Sequence, residues 1–383
     1  MKVITNGKII LPDSKGIFFT DNKLVAFDEK IIAVENPDNR EILNVADEVI
    51  DAENNFVAPG FINIHIHGCN GFDAMDEDII ALEGMMKFLP TCGVTSFLPT
   101  TMTMSVDRIK HALKNIRAKT FHDGKNLIGA KILGANLEGP FINEKYKGAQ
   151  DKNHILRADF NIFAEFADVI KIATIAPELA DAEFIDRCIA EKIIVSIGHS
   201  AATYEQALTA INRGARHITH LFNAQSGLHH RKPGIVGAAL TSNAIVELIT
   251  DNVHVHPAAQ KIVAKVKPLD EIILITDSLR ACGIGDGESE LGGQKVFVKG
   301  NLATLADGTI VGSVATMNDV VKNFAENSAL SVAEVVMTVT KNPARELNLY
   351  DKIGSIEAGK FADFVIFDEN FNVKRTIING VSV

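Results

Sequence analysis

Six residues could hold metal ions and do hydrolytic chemistry: His65 and His67 in His65-Ile66-His67, then Glu138, His199, His220 and Asp277. All are competent ligands for zinc or iron(II). Side chains alternate along a strand, so one intervening residue puts His65 and His67 on the same face. Glu138 lies between an apolar run and Gly139-Pro140, where a carboxylate either sits exposed at a turn or bridges two ions. Asp277, in Ile275-Thr276-Asp277-Ser278, fits three tasks. It could be a helix N-cap, a metal ligand, or a base that takes a proton from attacking water and returns it to a leaving amine. Six ligands exceed the needs of one tetrahedral ion, so the set can hold one or two divalent cations. The chemistry these parts imply is metal-assisted hydrolysis of an amide or related bond.

Such a set works only if a frame brings it together. After Pro59-Gly60, eight strand-like apolar runs recur: Phe61–Ile66, Val94–Leu98, Ile132–Leu137, Val169–Ile175, Ile193–Ile197, His217–Phe222, Ile245–Ile249 and Ile272–Ile275. Helical patterns separate them, as in Thr203–Arg213, which Gly214 closes. Eight such alternations over about 220 residues predict a TIM-type (β/α)8 barrel of the α/β class. The alternative, a doubly wound open sheet, lacks its Gly-x-Gly-x-x-Gly turn after the first strand. Barrels of this type carry their chemistry at the C-terminal ends of the strands, and all six residues fall there, on five different runs.

The flanks read differently. Short β-rich runs (Lys2–Ile4, Ile17–Thr20, Lys23–Ala26, Ile31–Val34) precede the barrel, broken by Asn6-Gly7 and Asp13-Ser14. After it come a Gly-rich loop, Ala281–Gly293, a hairpin around Val296–Val311 turning at Asp307-Gly308, and helices at Asn318–Glu326 and Val332–Val339. The tail returns to strands at Asp363–Phe367 and Arg375–Ile378. Residues 1–58 and 344–383 are expected to form one small β-sandwich domain, with the barrel, 59–343, inserted between them.

The chain has 383 residues, 46% of them hydrophobic, which is ample for a large core without disulfide or metal staples. With 38 Lys+Arg against 48 Asp+Glu, the net charge of −10 argues against a nucleic-acid partner, and any anionic substrate must be met by a few local cations. The apolar runs fall far short of the roughly 20 residues a membrane-spanning helix needs. Met1–Gly7 shows no apolar leader. Cys69, Cys92, Cys188 and Cys282 are widely spread and read as free thiols, so a reducing, cytoplasmic setting is expected.

At these same residues the sequence resembles the amidohydrolase superfamily and, within it, the N-acetylglucosamine-6-phosphate deacetylases. The resemblance covers nearly the whole chain. It runs through Pro59-Gly60-Phe61-Ile62-Asn63-Ile64-His65-Ile66-His67-Gly68, Leu137-Glu138-Gly139-Pro140-Phe141, Gly198-His199-Ser200, Thr219-His220-Leu221-Phe222-Asn223-Ala224 and Thr276-Asp277-Ser278-Leu279-Arg280-Ala281. It implies removal of the acetyl group from the 2-acetamido nitrogen of a 6-phosphorylated sugar. It also implies Glu138, His199 and His220 as the core metal site and Asp277 as general base and acid. His65 and His67 match those members that hold a second metal. On the substrate side it implies Arg231, the backbone N–H groups of Asn223 and Ala224, and His254 as contacts to the sugar phosphate. Part of that site is expected from a neighbouring subunit, hence a homodimer. Gln150 stands where some members carry a histidine that polarises the amide carbonyl; its side-chain N–H could donate there without a charge.

Two other readings compete. A dihydroorotase-like cyclic amidase or a deaminase would favour a bridging lysine over Glu138. An inactive sugar-phosphate sensor would have lost a ligand or Asp277, and all are present.

Overall fold

In the computed structural model, which describes residues 1–121 and 128–383, the eight apolar runs become parallel strands. They are β1 (Phe61–Ile66), β2 (Val94–Pro99), β3 (Ala135–Glu138), β4 (Ile170–Ile175), β5 (Ile194–Ile197), β6 (His217–Ile218), β7 (Ile245–Ile249) and β8 (Ile272–Ile275). β3 to β8 form a six-stranded sheet in chain order, while β1 and β2 form a second sheet with Lys131–Ile132. The expected single run Ile132–Leu137 is therefore split. Gly134, at φ +144°, lets the chain leave β2 and join β4.

Backbone hydrogen bonds link the edges of the two sheets. Thr101 N–H donates to the Asn136 carbonyl at 3.0 Å, beside β2 and β3. On the far side Asp277 N–H donates to the His65 carbonyl at 3.0 Å and His67 N–H to the Ser278 carbonyl at 2.9 Å. Between β1 and β8 the carbonyls of Thr338 and Val339 accept from Leu274 of β8 and Ile62 near the start of β1. The parallel sheet is thus curled, and the C-terminal ends of β1, β3, β5, β6 and β8 face one volume.

Alternation sorts the strand residues. Ile62, Ile64, Leu98, Ile172, Ile249, Ile273 and Ile275 pack together in one cluster. Phe61, Phe97, Ala173, Val246, Leu248, Ile272 and Leu274 pack in another, with helix residues such as Ile109, Leu113, Phe184 and Val263. Each strand therefore buries both faces, as a parallel sheet covered by helices must. The helices begin where their caps say. Thr203 and Gln206 make a capping box ahead of Tyr204–Arg213, which ends at Gly214. Asn318–Glu326 lies within Met317–Ser328, and the second expected helix stops at Met337. Among the described residues no helix is long and apolar enough to cross a membrane.

Both termini share one eight-stranded sheet. Phe364–Phe367 pairs antiparallel with Phe56–Pro59, which lies beside Lys2–Pro12. Two expectations need correction here. Asn6-Gly7 is a bulge rather than a break, because Asn6 takes φ +53° inside the strand Lys2–Pro12. Ile17–Thr20 and Lys23–Ala26 are one strand, Phe18–Phe27, since Asp21 and Asn22 stay paired with Ile9 and Lys8. The hairpin near the mouth is also different. Gly287–Leu291, Gln294–Lys299 and Leu302–Thr304 form a three-stranded sheet whose turns are Gly292-Gly293 and Gly300-Asn301, and Asp307-Gly308 lies in the loop closed by the Thr304–Ile310 bridge. The helix Lys341–Glu346 runs across the expected 343/344 boundary.

Candidate metal centre and active site

The strand ends bring all six expected ligands together, each less than a tenth exposed. Glu138, at the end of β3, is the hub. Its Oε1 lies 3.2 Å from His199 Nε2, 3.0 Å from His220 Nε2 and 3.5 Å from His65 Nε2, and its Oε2 lies 3.2 Å from His67 Nε2. Two ligand groups share it: His65, His67 and Glu138, and Glu138, His199 and His220. Asp277 Oδ1 completes the first side, 3.3 Å from His65 Nε2 and 3.2 Å from His67 Nε2.

The positions of these side chains depend on backbone that most residues avoid. His199, His220 and Asp277 have φ of +46°, +27° and +48°. Such non-glycine conformations cost on the order of 1–3 kcal/mol each and persist only where the surroundings fix them. A layer of buried polar groups does so. Asn63 Nδ2 donates to Thr276 Oγ1 at 2.8 Å, Asn136 Nδ2 to the Ile64 carbonyl at 3.0 Å, and the hydroxyls of Thr174 and Thr219 meet at 2.9 Å.

Tautomers follow from what stands behind each ring. Nδ1 of His65 faces Glu247 Oε2 at 2.9 Å. Nδ1 of His67, His199 and His220 faces the carbonyls of Thr100 (3.2 Å), Tyr146 (2.9 Å) and Asn223 (3.1 Å). An acceptor at Nδ1 holds a proton there and leaves Nε2 as a lone pair. All four Nε2 atoms then point at carboxylates, and those of His199 and His220 oppose each other at 3.1 Å. His65 Nε2 and Asp277 Oδ1 are buried with no hydrogen-bond partner. Facing lone pairs at such distances repel, so the donor set fits a divalent cation between them.

The electrostatics point the same way. Burial disfavours charge on His67, but Asp277 and Glu138 outweigh it and lift its pKa to about 10. Burial likewise opposes charge on His65, and Glu247, Glu138 and Asp277 nonetheless hold its pKa well above the ordinary value. The Glu138 carboxyl, which burial would push up, is held well below its usual range by His65 and His199. This is a pocket of net negative demand for positive charge.

A cavity of about 220 Å³ opens onto His67, Glu138, His199, His220 and Asp277. Gln150, Asn223, Ala224 and His254 also line it. Gln150 is engaged at both ends: Oε1 accepts from Thr103 N–H at 2.6 Å, and Nε2 donates to Glu138 Oε2 at 2.9 Å. Asn223 N–H donates to the His220 carbonyl at 2.9 Å, and its side-chain Nδ2 lies 3.4 Å from the carbonyls of His220 and Leu221. His254 Nδ1 is held by Asp251 Oδ2 at 2.7 Å, which frees Nε2. Arg231 is not brought to this cavity. It is exposed on the loop between β6 and β7, with its guanidinium against His230 Nε2 at 2.8 Å.

Two features escaped the sequence reading. Ile310, Val311 and Gly312 line the cavity, although nothing but the glycine (φ +24°) marks that apolar stretch. Glu247, wholly buried in β7, stands behind His65. Its signal was a lone charge inside Ile245-Val246-Glu247-Leu248-Ile249.

Residues 56–383 match the amidohydrolase family. The N-acetylglucosamine-6-phosphate deacetylase of Bacillus subtilis is 41% identical over 350 residues, covering 90% of this chain and 87% of the relative. The N-acetylgalactosamine-6-phosphate deacetylase of Escherichia coli O157:H7 is 34% identical, with 86% and 88% covered. The crystal structure of the Thermotoga maritima N-acetylglucosamine-6-phosphate deacetylase superposes with a TM-score of 0.87 at 35% identity, over 99% of each chain. On this evidence of sequence, fold and ligand set, the chain belongs to the amidohydrolase family, among its N-acetylhexosamine-6-phosphate deacetylases.

Proposed function

We propose that the chain hydrolyses the acetamido C–N bond of N-acetylglucosamine 6-phosphate, giving glucosamine 6-phosphate and acetate. The observation that carries the reading is Asp277 Oδ1, buried and unpartnered 3.2–3.3 Å from two imidazoles, in a chain 41% identical to such a deacetylase. His65, His67, Glu138, His199, His220 and Asp277 are read as the ligands of two divalent cations, zinc or iron(II). When bound, such cations polarise a carbonyl and make water acidic enough to attack near neutral pH. Asp277 accepts the proton of the attacking water and delivers it to the sugar nitrogen as the C–N bond breaks. Gln150 holds Glu138 in place through Nε2. Asn223, Ala224 and His254 line the sugar-phosphate end, with Arg231 as the guanidinium for the phosphate.

The wider assignments belong to the same reading. The two parallel sheets make one (β/α)8 barrel, residues 59–343, and the sheet of both termini, 1–58 and 344–383, a small β-sandwich domain around the cluster of Ile4, Val25, Phe27, Val57 and Phe364. The protein works as a homodimer in the cytoplasm; its four buried, unpaired cysteines suit a reducing compartment.

Purified protein incubated with N-acetylglucosamine 6-phosphate, with metal content measured in parallel, tests this. Acetate release that tracks bound metal is expected. No acetate at any metal loading refutes it, and faster release from the galacto epimer reassigns the substrate.

A further inference from the structure

Among the described residues Glu247 is the one carboxylate behind the ligand histidines; the other three rings rest on backbone carbonyls. Both of its oxygens are committed. Oε2 accepts from His65 Nδ1 at 2.9 Å and from His220 N–H at 3.1 Å, and Oε1 faces His217 Nε2 at 3.1 Å. His217 Nδ1 in turn faces Glu346 Oε1 at 3.2 Å, and Glu346 is 14% exposed. A buried line of alternating carboxylate and imidazole therefore runs from His65, through the strand layer, to the edge of the structure. An ionised carboxylate only accepts, so Glu247 fixes the proton of His65 on Nδ1 and makes Nε2 a more basic donor.

We infer that Glu247, backed by His217 and Glu346, is a positioning residue that sets the cation affinity of the His65–His67–Glu138 group separately from that of the Glu138–His199–His220 group. The inference rests on the two-cation reading above. His199 and His220 hold their tautomers through Tyr146 and Asn223, and Glu247 touches the second group only at the His220 N–H, which a neutral acceptor also satisfies. In Glu247→Gln the His220 N–H keeps the amide oxygen turned toward itself and His65, so the size and this acceptor remain. The negative charge that makes His65 Nε2 more basic is lost, and the amide nitrogen meets His217 instead.

Zinc titrated into the metal-free full chain, against a chromophoric chelator, tests this without reference to turnover. Two equivalents are expected for the unaltered protein. Glu247→Gln should keep one at unchanged affinity and bind the other about 10–100-fold more weakly. Glu247→Asp should restore part of the loss. His67→Asn added to Glu247→Gln should affect the same equivalent and leave the tight one alone. Should Glu247→Gln fail to fold, Glu346→Gln at the outer end of the line is expected to weaken the same equivalent. Unchanged affinities, or equal loss at both groups, overturn the role of Glu247 while leaving the two-cation reading intact. A single equivalent in the unaltered protein overturns that reading itself, and this inference with it.

Discussion

Asp277 has one oxygen with nothing to accept from, 3.3 Å from His65 Nε2 and 3.2 Å from His67 Nε2. Asn at this position keeps the shape and one ligand oxygen but cannot take a proton. We expect Asp277→Asn to fold, to retain metal by elemental analysis, and to lose turnover by about 10²–10⁴-fold, the range of general acid–base catalysis. Turnover near that of the unaltered protein would remove Asp277 from proton transfer. The six ligands were legible because each is a chemically distinctive residue at the end of an apolar run. Glu247 and His217 were not, because a charged residue within a strand declares itself buried only when the partner that neutralises it is known. Those partners lie at sequence separations of 182 and 129 residues, for His65–Glu247 and His217–Glu346. Gln150 illustrates the converse. Its type suggested a carbonyl donor, but only the structure shows that Thr103 N–H holds its Oε1 and that Nε2, which carries two hydrogens, gives one to Glu138 Oε2.

Among the elements, the apolar runs located all eight strands, one of them split at Gly134, since a run of apolar residues between turn signals is a local property of sequence. The exits from those strands were less legible. The run His217–Phe222 reads as continuous strand, but it is strand only at His217–Ile218, with positive φ at His220, Phe222 and Ala224. No apolar pattern encodes such turns; contacts made elsewhere pay for them. Gly198, just before His199, shows how tight these exits are. A Cβ there would lie 2.6 Å from Thr219 Cβ, just past β6, and 2.9 Å from Thr174 Cγ2 on β4. Gly198→Ala must therefore push β5 away from β4 and β6. We expect a loss of about 1–3 kcal/mol in chemical denaturation, typical of overpacking, together with weaker metal binding at His199. A variant as stable as the parent would show that these strand ends yield more easily than their packing suggests.

At the scale of the whole molecule, the net charge of −10 leaves phosphate recognition to local cations, and Arg231 is the residue assigned to it. Its exposure, away from the cavity that His220, Asn223 and Ala224 of the same connection line, is what a side chain serving a neighbouring subunit would show. Mixing two defective chains separates the possibilities. Arg231→Ala alone should raise KM for the phosphorylated sugar far more than for the unphosphorylated one. Asp277→Asn alone should be inactive. If Arg231 acts across a dimer, a mixed dimer pairs an intact Asp277 with the intact Arg231 of its partner and so contains one complete site. Subunits unfolded and refolded together in equal amounts should then recover about a quarter of the unaltered low-substrate activity, because half the dimers are mixed and each has one working site of two. If Arg231 serves its own chain, no site in the mixture is complete, and activity stays at the average of the two separate variants. Light scattering on the same samples fixes the subunit count, and a monomer throughout would exclude the shared site.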